Sequence, residues 1–369
     1  MASIYIHIPF CKQRCAYCDF FTSTENRMLD TYITAICSEI KERKNYLQDE
    51  PVKTIYFGGG TPSVLPFAYL AKILLFINFT FGLDKDREIT LEANPDDITP
   101  EYLPTIGSLE FNRISLGVQS FNNKELRLLN RRHDAESAIR AVKLLQQEGF
   151  NNISIDLMYG LPGQSIKTWE KTLRQAIDLQ VQHISAYHLT YEEGTPFYSR
   201  LKEGSLTQAD EELSNNMFEV LIDTLAAAGF EHYEISNFAL PGFQSRHNTS
   251  YWNGTYYLGL GAAAHSYNGF SRRWNKKTLM QNYWNSGFEV EALDEKMKYN
   301  DYVITRLRMM KGMDLDELNL LFGEPQKMYC LRQAQKYITN GLLQYEGNRL
   351  RLTRKGIFIS DGIMRDLMD

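Results

Sequence analysis

The chain has 369 residues, a formal net charge of -5 at pH 7 and a hydrophobic fraction of 43%. This length predicts two domains and a sizeable core, so we expect a globular protein. The small acidic excess gives no sign of the basic surface that binds nucleic acid, and no nucleic-acid partner is predicted. The N-terminus lacks the basic and apolar regions of an export signal, which predicts a cytoplasmic protein.

The longest apolar stretch covers residues 68–83 and is interrupted by Lys72 and Asn78. It is too short to span a bilayer, so we expect a buried helix and no transmembrane segment. Peripheral association with a membrane stays open.

Short strand-like runs alternate with helical periodicity from the N-terminus to about residue 240. This pattern is typical of linked parallel strand and helix units. Six strands are predicted, at Ile4–Ile8, Thr54–Phe57, Glu88–Ala93, Arg113–Val118, Ile153–Met158 and Ile184–Leu189. The intervening helices include 28–46, 135–148 and 165–179, and a later one covers 210–228. The spacing allows a full or partial barrel or an open doubly wound sheet.

The alternation of side chains along the strands favours the barrel. One strand face is apolar and suits packing against helices. The opposite face carries small or polar residues, namely Thr90, Glu92, Ser115, Gly117, Gln119, Ser154 and Asp156. Parallel strands are usually apolar on both faces. The sequence therefore predicts a hydrated or ligand-filled lumen.

Three cysteines, Cys11, Cys15 and Cys18, lie within eight residues directly after the first predicted strand. In a chain without an export signal, clustered thiols indicate metal binding or catalysis rather than disulfides. Thiolates select zinc, copper or iron-sulfur clusters. A 4Fe-4S cluster usually takes four thiolates, so three would leave one iron open to a small molecule. The other two cysteines, Cys37 and Cys330, are predicted to be buried.

A structural zinc site with His7 as a fourth ligand is the alternative for these cysteines. Zinc sites usually draw their ligands from two separate pairs of residues. The chain has no distant second pair, and this favours the cluster.

The three-cysteine loop, with Tyr17 before its last cysteine, resembles the signature of the radical S-adenosylmethionine superfamily. Residues 58–62, Gly-Gly-Gly-Thr-Pro, resemble the glycine-rich motif of that superfamily, which meets the methionine amino group. The resemblance implies a 4Fe-4S cluster on the three cysteines and S-adenosylmethionine at the open iron. It also implies an α/β fold with a partial (βα)6 barrel.

Further segments resemble the coproporphyrinogen dehydrogenase subfamily, at residues 5–11, 92–95, 117–121, 130–133 and 155–162. This resemblance implies that S-adenosylmethionine is bound by Tyr5, Gly59, Gly60, Thr61, Glu92, Gln119, Arg131 and Asp156. Carboxylates and amides suit the ribose hydroxyls, and arginine suits the methionine carboxylate. The true dehydrogenase, however, carries a further cysteine where this chain has Phe20, and it has an N-terminal extension before the cluster.

Residues 246–252, Arg-His-Asn-Thr-Ser-Tyr-Trp, resemble instead the His-Asn-x-x-Tyr-Trp motif of HemW-type proteins. These are radical S-adenosylmethionine relatives that bind haem and hand it to acceptor proteins. The resemblance implies that His247 ligates haem while Tyr251 and Trp252 cover the macrocycle, and His265 is a second candidate. The leading interpretation is a haem chaperone with a haemoprotein acceptor. An oxygen-independent coproporphyrinogen III dehydrogenase and a zinc-stabilised interaction protein are the alternatives.

Three regions are predicted in total: a barrel over residues 1–240, a connecting region with the His-Asn-x-x-Tyr-Trp motif over 241–292, and a C-terminal domain over 293–369. The last region is mainly helical and ends with two short strands around Gly347 and Asn348, which resembles a winged-helix module. It has no basic recognition helix, so we expect an accessory lid or docking domain.

Overall fold

The computed structural model describes residues 1–279, 283 and 287–369. The first half alternates strands and helices as predicted. Its strands are β1 (Ala2–Ile8), β2 (Val52–Gly59), β3 (Leu83–Ala93), β4 (Arg113–Gln119), β5 (Ile153–Tyr159) and β6 (His183–His188). Its helices are α1 (Leu29–Glu42), α2 (Phe67–Phe81), α3 (Leu103–Ser108), α4 (Asn123–Leu128), α5 (Ala135–Gln147), α6 (Ile166–Asp178), α7 (Pro196–Lys202) and α8 (Glu211–Ala227).

The region after α8 adds strands to both edges of this sheet. They are β7 (Glu231–Glu234), β8 (Asn237–Ala239), β9 (Tyr256–Leu260), β10 (His265–Tyr267), β11 (Ser271–Asn275) and β12 (Phe288–Ala292), with α9 (Arg246–Trp252) between β8 and β9. In the described residues the order is β12-β11-β10-β9-β1-β2-β3-β4-β5-β6-β8-β7. Strands β9 and β1 to β6 are mutually parallel. Among the described residues the two end strands do not pair with each other, so the barrel is partial, as predicted.

The outward face of the parallel strands forms the core beneath the helices. Ile114, Leu116, Ile153 and Ile155 are fully buried, which confirms the predicted alternation. Local sequence fixes where the helices begin. The Asp134 side chain caps α5 by accepting from the Ser137 amide, and α6 begins with a capping box formed by Ser165 and Thr168.

Helix α2 forms where a buried helix was predicted, but only one of its faces is buried. Leu70, Ile73 and Ile77 pack into the core, whereas Leu75 is 66% and Phe79 is 95% exposed. The prediction of burial was wrong for the outer face because a run of apolar residues does not show which side meets the sheet. Among the residues described, no helix has the length and apolar character needed to cross a membrane.

The C-terminal part is mainly helical, with α10 (Glu295–Arg308), α11 (Leu315–Phe322), α12 (Glu324–Thr339), α13 (Arg354–Ile357) and α14 (Ser360–Leu367). A small sheet pairs β13 (Met313–Asp314), β15 (Arg349–Leu352) and β14 (Leu343–Glu346) in that order. The turn at Gly347 and Asn348 has φ of +55° and +61°, as a tight hairpin requires. The predicted hairpin is thereby confirmed, while the region boundaries at 240 and 292 stay predictions. Six residues of the middle region lie outside the described part.

Candidate cofactor site

The inner face of the barrel encloses a polar cavity of about 220 Å³. Side chains from seven strands and from α9 line it. They include Tyr5, Tyr56, Glu92, Arg113, Ser115, Asp156, His183, Ser185, Asn237 and His247. The predicted polar lumen is confirmed, and it brings together Tyr5, Glu92 and Asp156, three of the residues predicted to bind S-adenosylmethionine, and His247, the predicted haem ligand.

The three-cysteine loop lies at the carboxyl end of β1, which is the end where barrel active sites are built. Cys11 is buried, whereas Cys15 and Cys18 are half-buried. Two polar side chains point at the sulfurs. The Thr61 hydroxyl donates to Cys11 Sγ at 3.4 Å, and Arg131 Nη1 donates to Cys15 Sγ at 3.2 Å. Hydrogen bonds to the sulfurs are among the groups that tune an iron-sulfur cluster.

His7 is poorly placed to act as the fourth ligand of a zinc ion. The ring of His7 is otherwise engaged, with Nε2 2.9 Å from the Phe21 carbonyl and Nδ1 3.2 Å from the Tyr5 hydroxyl. A cluster can instead take each thiolate on a different iron.

Burial opposes the ionised form of these thiols. It raises the pKa of Cys11, and it raises the pKa of Cys18 to about 11. Thiolates at these positions therefore need a positively charged metal centre to hold them in the ionised form.

The glycine-rich segment follows β2 and packs against the end of β1 and the start of the cysteine loop. Gly59 has φ of +106°, and a Cβ there would lie 2.4 Å from the His7 ring. The amides of Gly60 and Thr61 donate to the carbonyls of Ile8 and Phe10 at 2.8 and 2.9 Å. The glycines thus let β2 pack closely against β1. Their contact with a methionine amino group stays a prediction.

Two acidic side chains, Glu92 and Asp156, line the lumen. Glu92 accepts from the Tyr56 hydroxyl at 2.7 Å and from the Gly59 amide at 3.1 Å. Burial raises the pKa of Glu92 to about 7 and that of Asp156 to about 6. The hydrogen bond from Ser185 opposes the shift at Asp156. Two carboxylates with these values can accept hydrogen bonds from the hydroxyls of a ligand at neutral pH.

Arg131 and Gln119 converge at the mouth of the lumen. Gln119 ends β4 with φ of +66°, a strained backbone for a residue with a side chain. Arg131 Nη2 donates to the Gly117 carbonyl at 2.5 Å and to the Asn94 side chain. A Cβ at Gly117 would lie 3.1 Å from Gln119 and 3.2 Å from Arg131. The glycine therefore leaves room for both side chains beside the cysteine loop.

Arg113 is a lumen residue that sequence reasoning missed. It is 2% exposed, lines the cavity, and its Nε has no hydrogen-bond partner in the part of the chain that the structure describes. Burial, and after it the charge of Arg113, lowers the pKa of His183 and His247. The same alternation that placed Ser115 and Gly117 inside the barrel also places Arg113 there. The sequence pattern therefore already indicated that Arg113 lies in the lumen.

Helix α9 closes the floor of the barrel and carries the His-Asn-x-x-Tyr-Trp motif. The Glu88 carboxylate accepts the amides of Arg246 and His247 at 3.1 and 2.9 Å. The Ser245 hydroxyl caps the helix by accepting from the Asn248 amide at 3.2 Å. Together these bonds satisfy the free amides of the first helical turn.

The imidazole of His247 is buried in this floor and is 2% exposed. Its Nδ1 lies 2.8 Å from the Thr54 hydroxyl and its Nε2 lies 3.0 Å from the Tyr251 hydroxyl. The ring also stacks on Tyr56 at 4.9 Å between centroids. Burial lowers the pKa of His247 to about 3, so the ring is neutral. Haem ligation by His247 stays a prediction, and it requires at least one of these contacts to break.

The two aromatic residues of the motif also have partners within the protein. Tyr251 lines the cavity. Trp252 lies under the guanidinium of Arg308, 4.7 Å from the ring centroid, and its carbonyl accepts from Arg306 Nη1 at 2.5 Å. The motif thus joins the barrel floor to α10. His265, by contrast, is exposed at the start of β10.

Comparison with known proteins places these features in a family. The model of the radical SAM superfamily matches residues 5–176, and that of the HemN C-terminal domain matches residues 293–359. The structure titled coproporphyrinogen III oxidase (HemN) from Escherichia coli has a TM-score of 0.86. That likeness covers 100% of this chain and 90% of the other at 23% identity, and it shows the fold alone.

Curated relatives give a closer match in sequence. The heme chaperone HemW of Mycobacterium tuberculosis is 35% identical over 99% of this chain and 94% of its own length. HemW of Lactococcus lactis is 34% identical over 99% of this chain and 97% of its own, and HemW of Escherichia coli is 36% identical over 84% and 83%. The cysteine loop, the polar barrel and the likeness over nearly the whole chain agree: this chain belongs to the HemW family of the radical SAM superfamily.

Proposed function

We propose that this protein is a cytoplasmic haem chaperone that binds haem, a 4Fe-4S cluster and S-adenosylmethionine, and that transfers haem to an acceptor haemoprotein. The observation that carries the proposal is the three-cysteine loop at the mouth of a polar lumen, in a chain similar over nearly its whole length to relatives named heme chaperone.

The cluster is assigned to Cys11, Cys15 and Cys18. The donor set supports this assignment, because Thr61 and Arg131 direct hydrogen bonds at two of the sulfurs. Three thiolates leave one iron for S-adenosylmethionine, which supplies radical chemistry when the cluster is reduced.

S-adenosylmethionine is assigned to the lumen and its mouth. Tyr5, Glu92 and Asp156 line the cavity, and their oxygens suit the hydroxyls of a ribose. Gly59, Gly60, Thr61, Gln119 and Arg131 lie at the mouth beside the cysteine loop. Arg131 is the cation there that can pair with the ligand's carboxylate.

Oxygen-independent coproporphyrinogen III dehydrogenase is the second candidate. The fold of the Escherichia coli HemN structure favours it, since that likeness spans this whole chain. Phe20 argues against it, because the dehydrogenase has a cysteine at the corresponding position. Phe20 is 61% exposed beside the cluster loop.

One experiment separates the two functions. Protein reconstituted anaerobically is titrated with haem and, in parallel, incubated with coproporphyrinogen, reductant and S-adenosylmethionine. We expect a saturable Soret band at about one haem per chain and no protoporphyrinogen. The Phe20→Cys variant is the matched control, because it restores the dehydrogenase pattern at a single position. Robust decarboxylation by the wild-type protein would establish the enzyme instead.

A further inference from the structure

Arg113 begins β4, and its side chain is buried in the lumen of the barrel. It is 2% exposed and lines the cavity. Within the part of the chain that the structure describes, its guanidinium forms no hydrogen bond and no ion pair. A guanidinium stays charged in proteins. Because a buried charge without a partner is costly, this position favours the binding of an anion.

The two other buried arginines of the described residues have carboxylate partners. Arg43 donates to the Glu39 carboxylate at 2.9 Å, and Arg306 donates to the Glu317 carboxylate at 3.0 Å. Neither of them lines the lumen. The fold thus pairs the buried arginines that support its structure, and the arginine in the cavity is the exception.

Arg113 is also distant from the cation that is assigned to the methionine carboxylate. Arg131 donates to the Gly117 carbonyl and to Cys15 at the mouth. Gln119 ends the strand that Arg113 begins, and six residues of strand span about 20 Å. Since S-adenosylmethionine carries a single carboxylate, it cannot pair with both arginines. The guanidinium of Arg113 therefore remains available to a second anion.

Uncharged polar groups surround this guanidinium. Ser185 on β6 lies opposite Asn237 on β8, and both are 5% exposed and line the cavity. Thr90 lies beside Arg113 in the register of β3 and β4, and its buried hydroxyl has no hydrogen-bond partner among the described residues. We call the part of the cavity lined by Arg113, Ser185 and Asn237 the lower lumen. Its hydroxyl and amide groups suit the hydroxyls of a ligand.

Charge and size limit the ligand further. Glu92 and Asp156 line the same cavity, and their raised pKa values of about 7 and about 6 leave negative charge there at neutral pH. A dianion would be repelled by that charge, whereas a single carboxylate matches the fork of one guanidinium. The cavity of about 220 Å³ is smaller than the roughly 300–1,000 Å³ that pockets for drug-sized ligands occupy. These features indicate a small monoanion.

We propose that the lower lumen is a second ligand site, in which Arg113 binds the carboxylate of a small hydroxylated monocarboxylate and Ser185 and Asn237 bind its hydroxyl groups. The site goes beyond the haem-chaperone function and does not involve haem. It rests on the function proposed above in one respect, which is the assignment of Arg131 to the methionine carboxylate.

Calorimetry on full-length, cluster-loaded protein saturated with S-adenosylmethionine tests the proposal. The probes are glycerate, acetate and sulfate. We expect saturable binding of glycerate, weaker binding of acetate because it lacks hydroxyls, and no binding of sulfate because it is a dianion. Arg113→Met should weaken glycerate binding by about tenfold or more. Arg113→Lys keeps the charge but lacks the fork, so its affinity should lie between the two.

Arg132→Met is the matched control. The guanidinium of Arg132 already pairs with the Asp97 carboxylate at 3.1 Å, so this variant should bind glycerate as the wild type does. The proposal is overturned if neither carboxylate binds saturably, if sulfate binds as tightly as glycerate, or if Arg113→Met keeps the wild-type affinity. If Arg113→Met does not fold, Arg113→Lys decides, and wild-type affinity in that variant overturns the proposal.

Two further measurements separate this site from the ligands of the proposed function. Glycerate binding that occurs only without S-adenosylmethionine overturns the proposal, because the probe would then occupy the site of the methionine carboxylate. Haem titration of Arg113→Met should match that of the wild type. If the wild-type protein takes up no haem but binds glycerate through Arg113, the proposed function fails and the carboxylate site stands.

Discussion

The mouth and the floor of the barrel each carry a motif that the sequence predicts to bind a ligand. The two motifs differ in whether their ligating atoms already have partners within the protein. At the mouth, Cys15 and Cys18 lie half-buried on a loop. At the floor, His247 is fully buried and both its ring nitrogens already have partners. The cysteine sulfurs at the mouth therefore still have lone pairs to offer a ligand, whereas the ring of His247 is already used within the fold.

The difference arises from residues that are distant in sequence. Thr54 and Glu88, on β2 and β3, engage the ring and the amide of His247. At the mouth, Thr61 and Arg131 donate to sulfurs that still have lone pairs for iron. The predictions below test whether the mouth binds ligands and the floor supports the fold.

The largest effect is expected at the mouth. Replacing Cys11, Cys15 or Cys18 by Ala should abolish cluster formation, because each removes one of three thiolates. Wild-type protein should hold about four irons and four sulfides per chain after anaerobic reconstitution. Cys37→Ala is the matched control, since Cys37 is buried in the core and should leave the iron content unchanged. Stoichiometric zinc without sulfide in the wild type would contradict the assignment.

At the floor, the expected effect is on folding. His247→Ala should lower the free energy of unfolding by about 2–4 kcal/mol, because it leaves a cavity and removes the partner of Thr54 and Tyr251. His265→Ala, at an exposed position, should cost less than about 0.5 kcal/mol. Urea unfolding of haem-free protein measures both. If the two variants lost the same free energy of unfolding, the distinction between the floor histidine and the surface histidine would be contradicted.

The lumen below the mouth should respond to the loss of single ligand contacts. Asp156→Ala and Arg131→Ala should each weaken S-adenosylmethionine binding to cluster-loaded protein by about 1–3 kcal/mol. Calorimetry on protein of matched iron content measures this. Glu136→Ala, on the outer surface of α5, is a control that should bind as the wild type does. Unchanged affinity in both lumen variants would eliminate the site.

The last effect is a pH dependence of stability. The pKa of Glu92 is raised from 4.5 to about 7 in the folded protein, so folding favours its protonated form. Below about pH 4.5 the side chain is protonated in both the folded and the unfolded protein. Between about pH 4.5 and 7 it ionises more readily in the unfolded protein, and this penalty lowers the stability of the fold. Above about pH 7 the penalty is constant. Glu92→Gln lacks this penalty. Relative to the wild type, it should gain about 3 kcal/mol of stability between pH 4.5 and 7. A pH-independent difference would contradict the buried, ionising carboxylate.

The sequence predicted most of the barrel because its signals are local. Strand alternation placed Glu92 and Asp156 inside, and the spacing of Cys11, Cys15 and Cys18 placed three thiols on one loop. Both depend on neighbours in the chain, and the structure confirms the polar lumen and the fold.

What the sequence did not show depends on partners far along the chain. The burial of His247 needs Thr54 and Glu88, which are more than 150 residues away. The exposure of Phe79 depends on which face of α2 meets the sheet. The strands β9 to β12 appear in the sequence only as an Asn-, Gly- and aromatic-rich stretch, because their pairing is set by the edge of β1.

The central claim is that this protein carries haem without changing it. The most direct test loads cluster-containing protein with one equivalent of haem, mixes it with an apo-haemoprotein and follows the Soret band and the mass of the haem. The account predicts that the band shifts to that of the acceptor while the haem mass is unchanged. Haem that stays on the protein, is lost to solution, or is recovered chemically altered would contradict it.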